Sequence, residues 1–508
     1  MRARSGCAGV LLICAAVAAA DESGDRAALY ARSVHPEGLF TDSGDVGAVR
    51  SKGTHDYDAE AQAYLLSGSG ANMWFAEDEF FFAWLELTGD FILSADAGLQ
   101  GDGVDPHRKA GLMARASLAS DAAYVDVALH GDGLASLQFR RTAGADTGET
   151  VSPVRAPGVM QLERSGDRWT MAVAAKGEPL TRTVLEGLPL GETLYVGLFV
   201  CAHNADAVER ARFTNVRLSI PAPKDFRPYQ DYYPSRLEIM EVATGHRRVL
   251  HTEPDAMQAP NWTPDGRALV YNRNGRLYRF DLATGAIAAI DTAFADRNNN
   301  DHAISFDGRQ LAISHHSAEH DGESIVYTVP VEGGVPELVT SRGPSYLHGW
   351  SPDGRWLVYT GGRDGNYDIY KIRAAGGADE VRLTEHAALD DGAEFAPDGR
   401  TIWFNSARSG RMQLWRMAAD GTDETQVSDD GFNNWFPHVS PDGRTVVYLA
   451  YGADVAADDH PWYRHVYLMR RPAGADKPWV VANLYGGQGT INVPSWSPDG
   501  KFVAFVSN

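Results

Sequence analysis

LHGWSPDGRWLVYTG, residues 347–361, is an apolar run, a tight turn and a second apolar run. Proline presets φ, Asp offers a side-chain acceptor to the backbone and Gly takes a positive φ, so the stretch reads as two antiparallel strands joined at SPDG. The unit recurs as TPDG at 263–266, SFDG at 305–308, APDG at 396–399 and SPDG at 440–443 and 497–500. Their Asp residues are spaced by 42, 46, 45, 44 and 57. A self-similar unit of about 45 residues predicts a propeller or a solenoid. After 361, DIYKIRAAG and VRLTE read as two more short strands, so each unit is a four-stranded antiparallel blade. No unit holds a helical period, which excludes helical solenoids.

The sixth copy, PSWSPDGKFVAFVSN, provides only two strands, and the missing pair lies ahead of the first copy, in RLEIMEVATG and RRVLHTEP within 236–254. Joining them closes a ring of six blades over 236–508 with no open edge. PAPKDFRPYQDYYPS (221–235), with four prolines, is a stiff connection and the expected domain boundary. Residues 62–220 hold short alternating runs such as FFFAWLEL, YVDVAL, LASLQF and TLYVGLFVC between Gly and Asp turns, the pattern of an antiparallel β-sandwich. Residues 21–61 are polar and read as irregular. The expected fold class is therefore all-β: a sandwich followed by a six-bladed propeller.

The first twenty residues read as a secretory signal: Arg2 and Arg4, an apolar stretch from Val10 to Val17, and Ala18-Ala19-Ala20 as a cleavage site. That stretch is too short to span a membrane. A periplasmic or secreted location follows from it. Cys201 is then the one cysteine of the mature chain, which leaves no internal disulfide, and inside LYVGLFVCAH it reads as a small core residue. The net charge of −21, with no Lys/Arg-rich run, argues against nucleic acid as a partner.

The six-fold (S/T/A)-PDG-(R/K)-apolar signature resembles the TolB-like (WD40-like, PD40) propeller repeat over 236–508. The segment KAGLMARASL…YVDVALHGDGLASLQFRR is similar to concanavalin/laminin-G-like sandwiches of the DUF1349 type. The first resemblance implies a partner-binding or carbohydrate-active propeller, because such repeats occur in binding proteins, peptidases and polysaccharide lyases alike. A peptidase is set aside: no Gly-x-Ser-x-Gly elbow or α/β-hydrolase segment is present.

Strand order assigns the faces. The Pro-Asp-Gly turns lie on one face of the disc; the loops entering the first strands and leaving the second lie on the other, where binding residues are expected. Five residues before the turn Asp stand His302 and His348, and four before it Glu394 and His438, so these four should ring the channel mouth. His302, His348 and His438 converging from different blades would suit a divalent metal or a general base; Asp390 and Asp391 with Glu394 would supply an acid/base pair. Asn300, Asp301, Asn433, Asn434, Trp435, Asp459, His460, Trp462, Tyr463, Gln488 and Asn492 form the candidate ligand platform, with aromatic faces for sugar rings and amides for hydroxyls. Trp262, Trp350 and Trp496 repeat in phase and read as packing between blades. In the sandwich, Asp102 and Asp105 of GDGVDPHRK are candidate Ca²⁺ ligands. The expected function is binding of a glycan or other envelope ligand at the mouth; the alternatives are a polysaccharide lyase or glycosidase, and a protein-interaction scaffold.

Overall fold

The computed structural model describes residues 24–508 except 378 and 476, so the proposed signal segment lies outside the described residues. The chain divides into two compact units, one running to Ser235 and including Thr252–Asp255, the other comprising Arg236–His251 and Ala256–Asn508.

Two seven-stranded antiparallel sheets build the first unit. One runs in the order Asp42–Val46, Phe80–Thr88, Thr193–Cys201, Lys109–Arg115, Tyr124–His130, Ala135–Arg140, Gly148–Val151; the other Thr181–Leu185, Arg168–Ala174, Val159–Ser165, Phe91–Gln100, Asn204–Ser219, Ala63–Gly70, Thr54–Asp58. Alternate residues of both sheets, among them Phe81, Leu112, Val127, Leu93, Leu162 and Phe213, meet in one core, which makes the unit a β-sandwich. Cys201 is buried, its thiol pushed up to about 11 by burial.

The segment that reads as irregular, 21–61, is more ordered than its composition suggests. Residues 24–31 are helical, and Asp42–Val46 and Thr54–Asp58 pair onto the sheets at their margins. Edge strands need no alternating apolar face on their solvent side, and the polar THDYD alternates exposed and half-buried positions.

The second unit is a six-bladed propeller. Five four-stranded antiparallel sheets begin at Met257–Trp262, Asn298–Ile304, Ser345–Trp350, Asp390–Phe395 and Asn433–Val439, blades one to five. The sixth combines His246–Glu253, Ser235–Glu241 and Phe502–Ser507, with Trp496 bridging to Val503 as its innermost pair. The ring closes as the repeat parse requires, Leu237 pairing with Val506 and Ile239 with Ala504.

Each Pro-Asp-Gly works as a turn. The Asp carboxylate accepts the backbone N–H two residues on, as in Arg267 N to Asp265 Oδ1 at 3.0 Å and Arg355 N to Asp353 Oδ1 at 3.1 Å, while the Gly has φ between 65° and 73°. A Ser or Thr hydroxyl two residues before it donates to the same oxygen, Ser351 to Asp353 at 2.6 Å. In blade four that position is Ala396, and Thr401 donates to Asp398 instead, at 3.0 Å. Trp350 Nε1 donates to Ala303 O and Trp496 Nε1 to His438 O, each 2.9 Å away in the preceding blade.

Candidate functional site

The innermost strand of every complete blade slips register near its channel-mouth end: between Gln258 and Asn261, Asn298 and His302, Leu347 and Gly349, Asp391 and Glu394, and Trp435 and His438. A bulge re-aims the side chains around it, which is why bulges gather beside functional sites. Three of them take a positive φ at the same position, six before the turn Asp: Ala259 at 53°, Gly392 at 64° and Phe436 at 55°. A Cβ on Gly392 would lie 2.3 Å from Asn405 Oδ1, so only glycine leaves Asp391 where it is.

Asp391 is the hub. Its Oδ1 accepts from Thr360 Oγ1 at 2.6 Å and lies 3.0 Å from His348 Nε2; its Oδ2 is 4.0 Å from His460 Nε2. His348 turns its other nitrogen to Asn492 O, 3.4 Å away in the incoming segment of blade six. Burial opposes both charges, but the mutual hydrogen bond wins: Asp391 is held down to about 2 and His348 raised to about 8, so the pair is ionic near neutrality. Asp301, at the bulge of blade two, is the third member. Burial pushes its carboxyl up to about 7, with His348 opposing the shift and Asp391 adding to it, and no described residue hydrogen-bonds to it. His460 sits at the open side with a quarter of its side chain exposed, its ring 4.5 Å from Trp435 and 5.5 Å from Phe436. Blades two to six thus each contribute to one polar cluster.

Other candidates serve the frame. Glu394 Oε1 accepts Val439 N at 3.2 Å and its Oε2 lies 2.6 Å from His438 Nδ1, while His438 Nε2 faces Ile491 O. Asn261, at the equivalent position of blade one, accepts Ile304 N at 2.8 Å, so this register position straps neighbouring blades together. Asp390 is buried in an ion pair with Arg408 at 2.7 Å. His302 is enclosed beside Val270 O, and burial lowers it to about 4, which keeps it neutral. The acid pair expected from Asp390, Asp391 and Glu394 is therefore not assembled, since each carboxylate has its own partner.

The ligand platform is also redistributed. Trp435, Asn433, Asn434, Trp462 and Tyr463 are buried, so the aromatic faces expected to stack on sugar rings are packed into the blades. Asn433 Nδ2 donates to Val455 O, and Asn434 Nδ2 to Asp430. Gln488 and Asn492 bond each other within the segment 487–494, whose Gly489 O accepts Ala259 N at 2.6 Å. That segment, with Ile491 and Val493 fully buried, meets blades three, five and one, Asn492 O facing His348, Ile491 O facing His438 and Pro494 O accepting from Asn261. Asn300 is buried and Asp459 exposed. Thr360 and Phe436 carry no motif, and sequence reading missed both.

Among the described residues no group of three or more His, Cys, Asp or Glu is arranged to hold a metal ion. His302, His348 and His438 do not converge, because each is engaged by a different neighbour. In the sandwich loop Asp102 is exposed, and Asp105 accepts His107 N at 2.7 Å and faces His203. Nor is any helix of the described residues long and apolar enough to cross a membrane.

A family model for the TolB beta propeller domain matches residues 346–459. An uncharacterised protein of Agrobacterium fabrum is 44% identical over 273 residues, which cover 54% of this chain and 92% of that one. The Tol-Pal system protein TolB of Francisella tularensis is 24% identical over 49% of this chain, and the chain spans 56% of that relative's length. A solved Agrobacterium tumefaciens structure, provisionally identified as TolB, is 43% identical with a TM-score of 0.52, covering 55% of this chain and 99% of that one. On that likeness, and on six blades closed by strands from both ends of the repeat region, the chain belongs to the TolB-like β-propeller family.

Proposed function

We propose that this is an exported protein whose propeller mouth binds a glycan of the cell envelope or exterior through Asp301, His348, Asp391 and His460. The observation that carries the reading is Asp301: a buried carboxyl with no hydrogen bond from a described residue, facing the His348–Asp391 ion pair, whose Asp391 lies 4.0 Å from the partly exposed His460. Buried polar groups are ordinarily satisfied, and a sugar hydroxyl donates to a carboxylate while accepting from an imidazolium. The exported location is supported by the signal-like first twenty residues and by relatives named for the Tol-Pal system. Calorimetric titration with a panel of soluble oligosaccharides tests it. Binding should weaken about ten-fold or more in Asp301→Asn and His460→Ala and stay unchanged in Asp353→Asn on the opposite face. If no oligosaccharide binds and envelope extract yields one protein partner, the scaffold reading replaces it.

A second reading, an acting glycosidase or lyase, is favoured by one feature. Two carboxyl groups beside one histidine are driven apart, Asp391 to about 2 and Asp301 to about 7, the division of labour that acid/base catalysis requires. It predicts new reducing ends, or an ultraviolet-absorbing unsaturated product, lost in Asp301→Asn while binding of the fragment survives. Unchanged polysaccharide after prolonged incubation with the binding-competent wild type would exclude it.

A further inference from the structure

In the sandwich, alternate residues of Lys109–Arg115, Tyr124–His130 and Ala135–Arg140 leave the core and form the outer face of the first sheet. Half of that face is a satisfied network. Asp78 takes Arg140 Nη2 at 2.7 Å and Arg115 Nη2 at 3.4 Å, and Tyr124 donates to Met73 O. The other half is different. Lys109, Asp126, His130, Ser136 and Gln138 are all buried, on registers that set Lys109 opposite His130 and Asp126 opposite Gln138. Both Asp126 oxygens, Ser136 Oγ, Gln138 Oε1 and His130 Nδ1 lack hydrogen-bond partners among the described residues, while the Lys109 charge acts on Asp126 without a direct bond. Only the Gln138 amide nitrogen is engaged, 3.1 Å from His130 Nε2 and 3.2 Å from Glu149 Oε1.

We infer that this half of the outer face is a second binding site, taking a small, uncharged, hydroxyl-bearing molecule such as a monosaccharide. A buried carboxyl, hydroxyl, amide oxygen and imidazole nitrogen without hydrogen-bond partners are each costly, and four such groups within one cluster are unusual in a structural core. A hydroxyl accepts from Lys109 while donating to Asp126, which bridges opposite charges without adding one; neighbouring hydroxyls suit Ser136, Gln138 and His130 in the same way. A cationic or anionic ligand would leave one of the two charges opposed. The floor is side-chain-poor: Gly111 pairs with Ala128, and a Cβ on Gly111 would collide with Val127 O. Half-buried Glu149 and exposed His107, whose ring is 6.0 Å from that of His130, lead from the cluster to solvent.

The test is thermal unfolding of the full chain against glycerol, a panel of neutral monosaccharides and the corresponding uronic acids. At least one neutral sugar should raise Tm saturably, by about 3 °C, with half-saturation shifted ten-fold or more in Ser136→Ala and in Asp126→Asn but not in His460→Ala. Ser136→Ala deletes a single hydroxyl and keeps the test sound should Asp126→Asn fold poorly. No saturable rise with any neutral compound, a rise confined to the uronic acids, or a rise lost in His460→Ala and kept in Ser136→Ala would overturn the assignment.

Discussion

His348 and Asp391 show how the environment decides what a residue does. Six histidines or carboxylates near the mouth look alike in sequence; two pairs meet across blades, His438 with Glu394 and His348 with Asp391, and in the second Thr360 fixes the carboxylate. His348 holds its proton to about 8 when folded against 6.5 ordinarily, so its contribution to stability is full below 6.5 and lost as pH rises to 8. Asp301, raised from 3.8 to about 7, contributes stability that is full below 3.8 and is lost as pH rises from there to 7, whereas Asp391, depressed to about 2, adds stability above 3.8 that is lost only on strong acidification. Urea unfolding at a series of pH values should therefore show stability declining from 3.8 to 7 through Asp301 and from 6.5 to 8 through His348. In Asp391→Asn, nuclear magnetic resonance should find His348 titrating below 6.5, because burial then acts without its counter-charge, and the decline should flatten. Breaking this buried pair should cost about 3 kcal/mol. His348 was legible as a mouth residue because it stands at a fixed distance before the turn Asp, and Asp301 because it lies in a polar loop entering a first strand. Their pairing was not, since partners from different blades are separated by dozens of residues and nothing in a single strand records them.

At the scale of the element, the turn and the bulge divide the blade between structure and function. The Pro-Asp-Gly turn was readable to the residue, down to the Asp that binds its own backbone, because turn chemistry is local. Gly354→Ala, at φ 68°, should lose about 1 kcal/mol in denaturant titrations, and Asp353→Ala a similar amount, with ligand binding untouched by either. The bulges were not legible: an extra residue in an innermost strand has no side-chain signature, apart from Gly392. They turned the expected sugar-stacking Trp435 into the core and brought Asp301 forward. The edge strands Asp42–Val46 and Thr54–Asp58 escaped notice for a related reason, since a margin of a sheet tolerates polar residues on both faces.

For the whole molecule, six repeats and a split last blade fixed the ring before any contact was seen, and pairing of Arg236–Glu241 with Phe502–Ser507 closes it. Phe505, fully buried at that seam, should cost about 3–5 kcal/mol as Phe505→Ala and loosen the entire propeller rather than one blade; limited proteolysis should then cut at several blades at once. His302, His348 and His438 were expected to ring the channel mouth with Glu394. His348 and His438 instead each face a backbone carbonyl of the segment 487–494, Asn492 O and Ile491 O. The repeated turns point away from that mouth, so the two faces make opposite claims on the same titration. Oligosaccharide binding measured side by side for Asp301→Asn, His460→Ala and Asp353→Asn decides between them. Loss of about ten-fold or more in the first two with wild-type affinity in the third is the expected result; undiminished binding in the first two, or loss in the third alone, would contradict a site at Asp301, His348, Asp391 and His460.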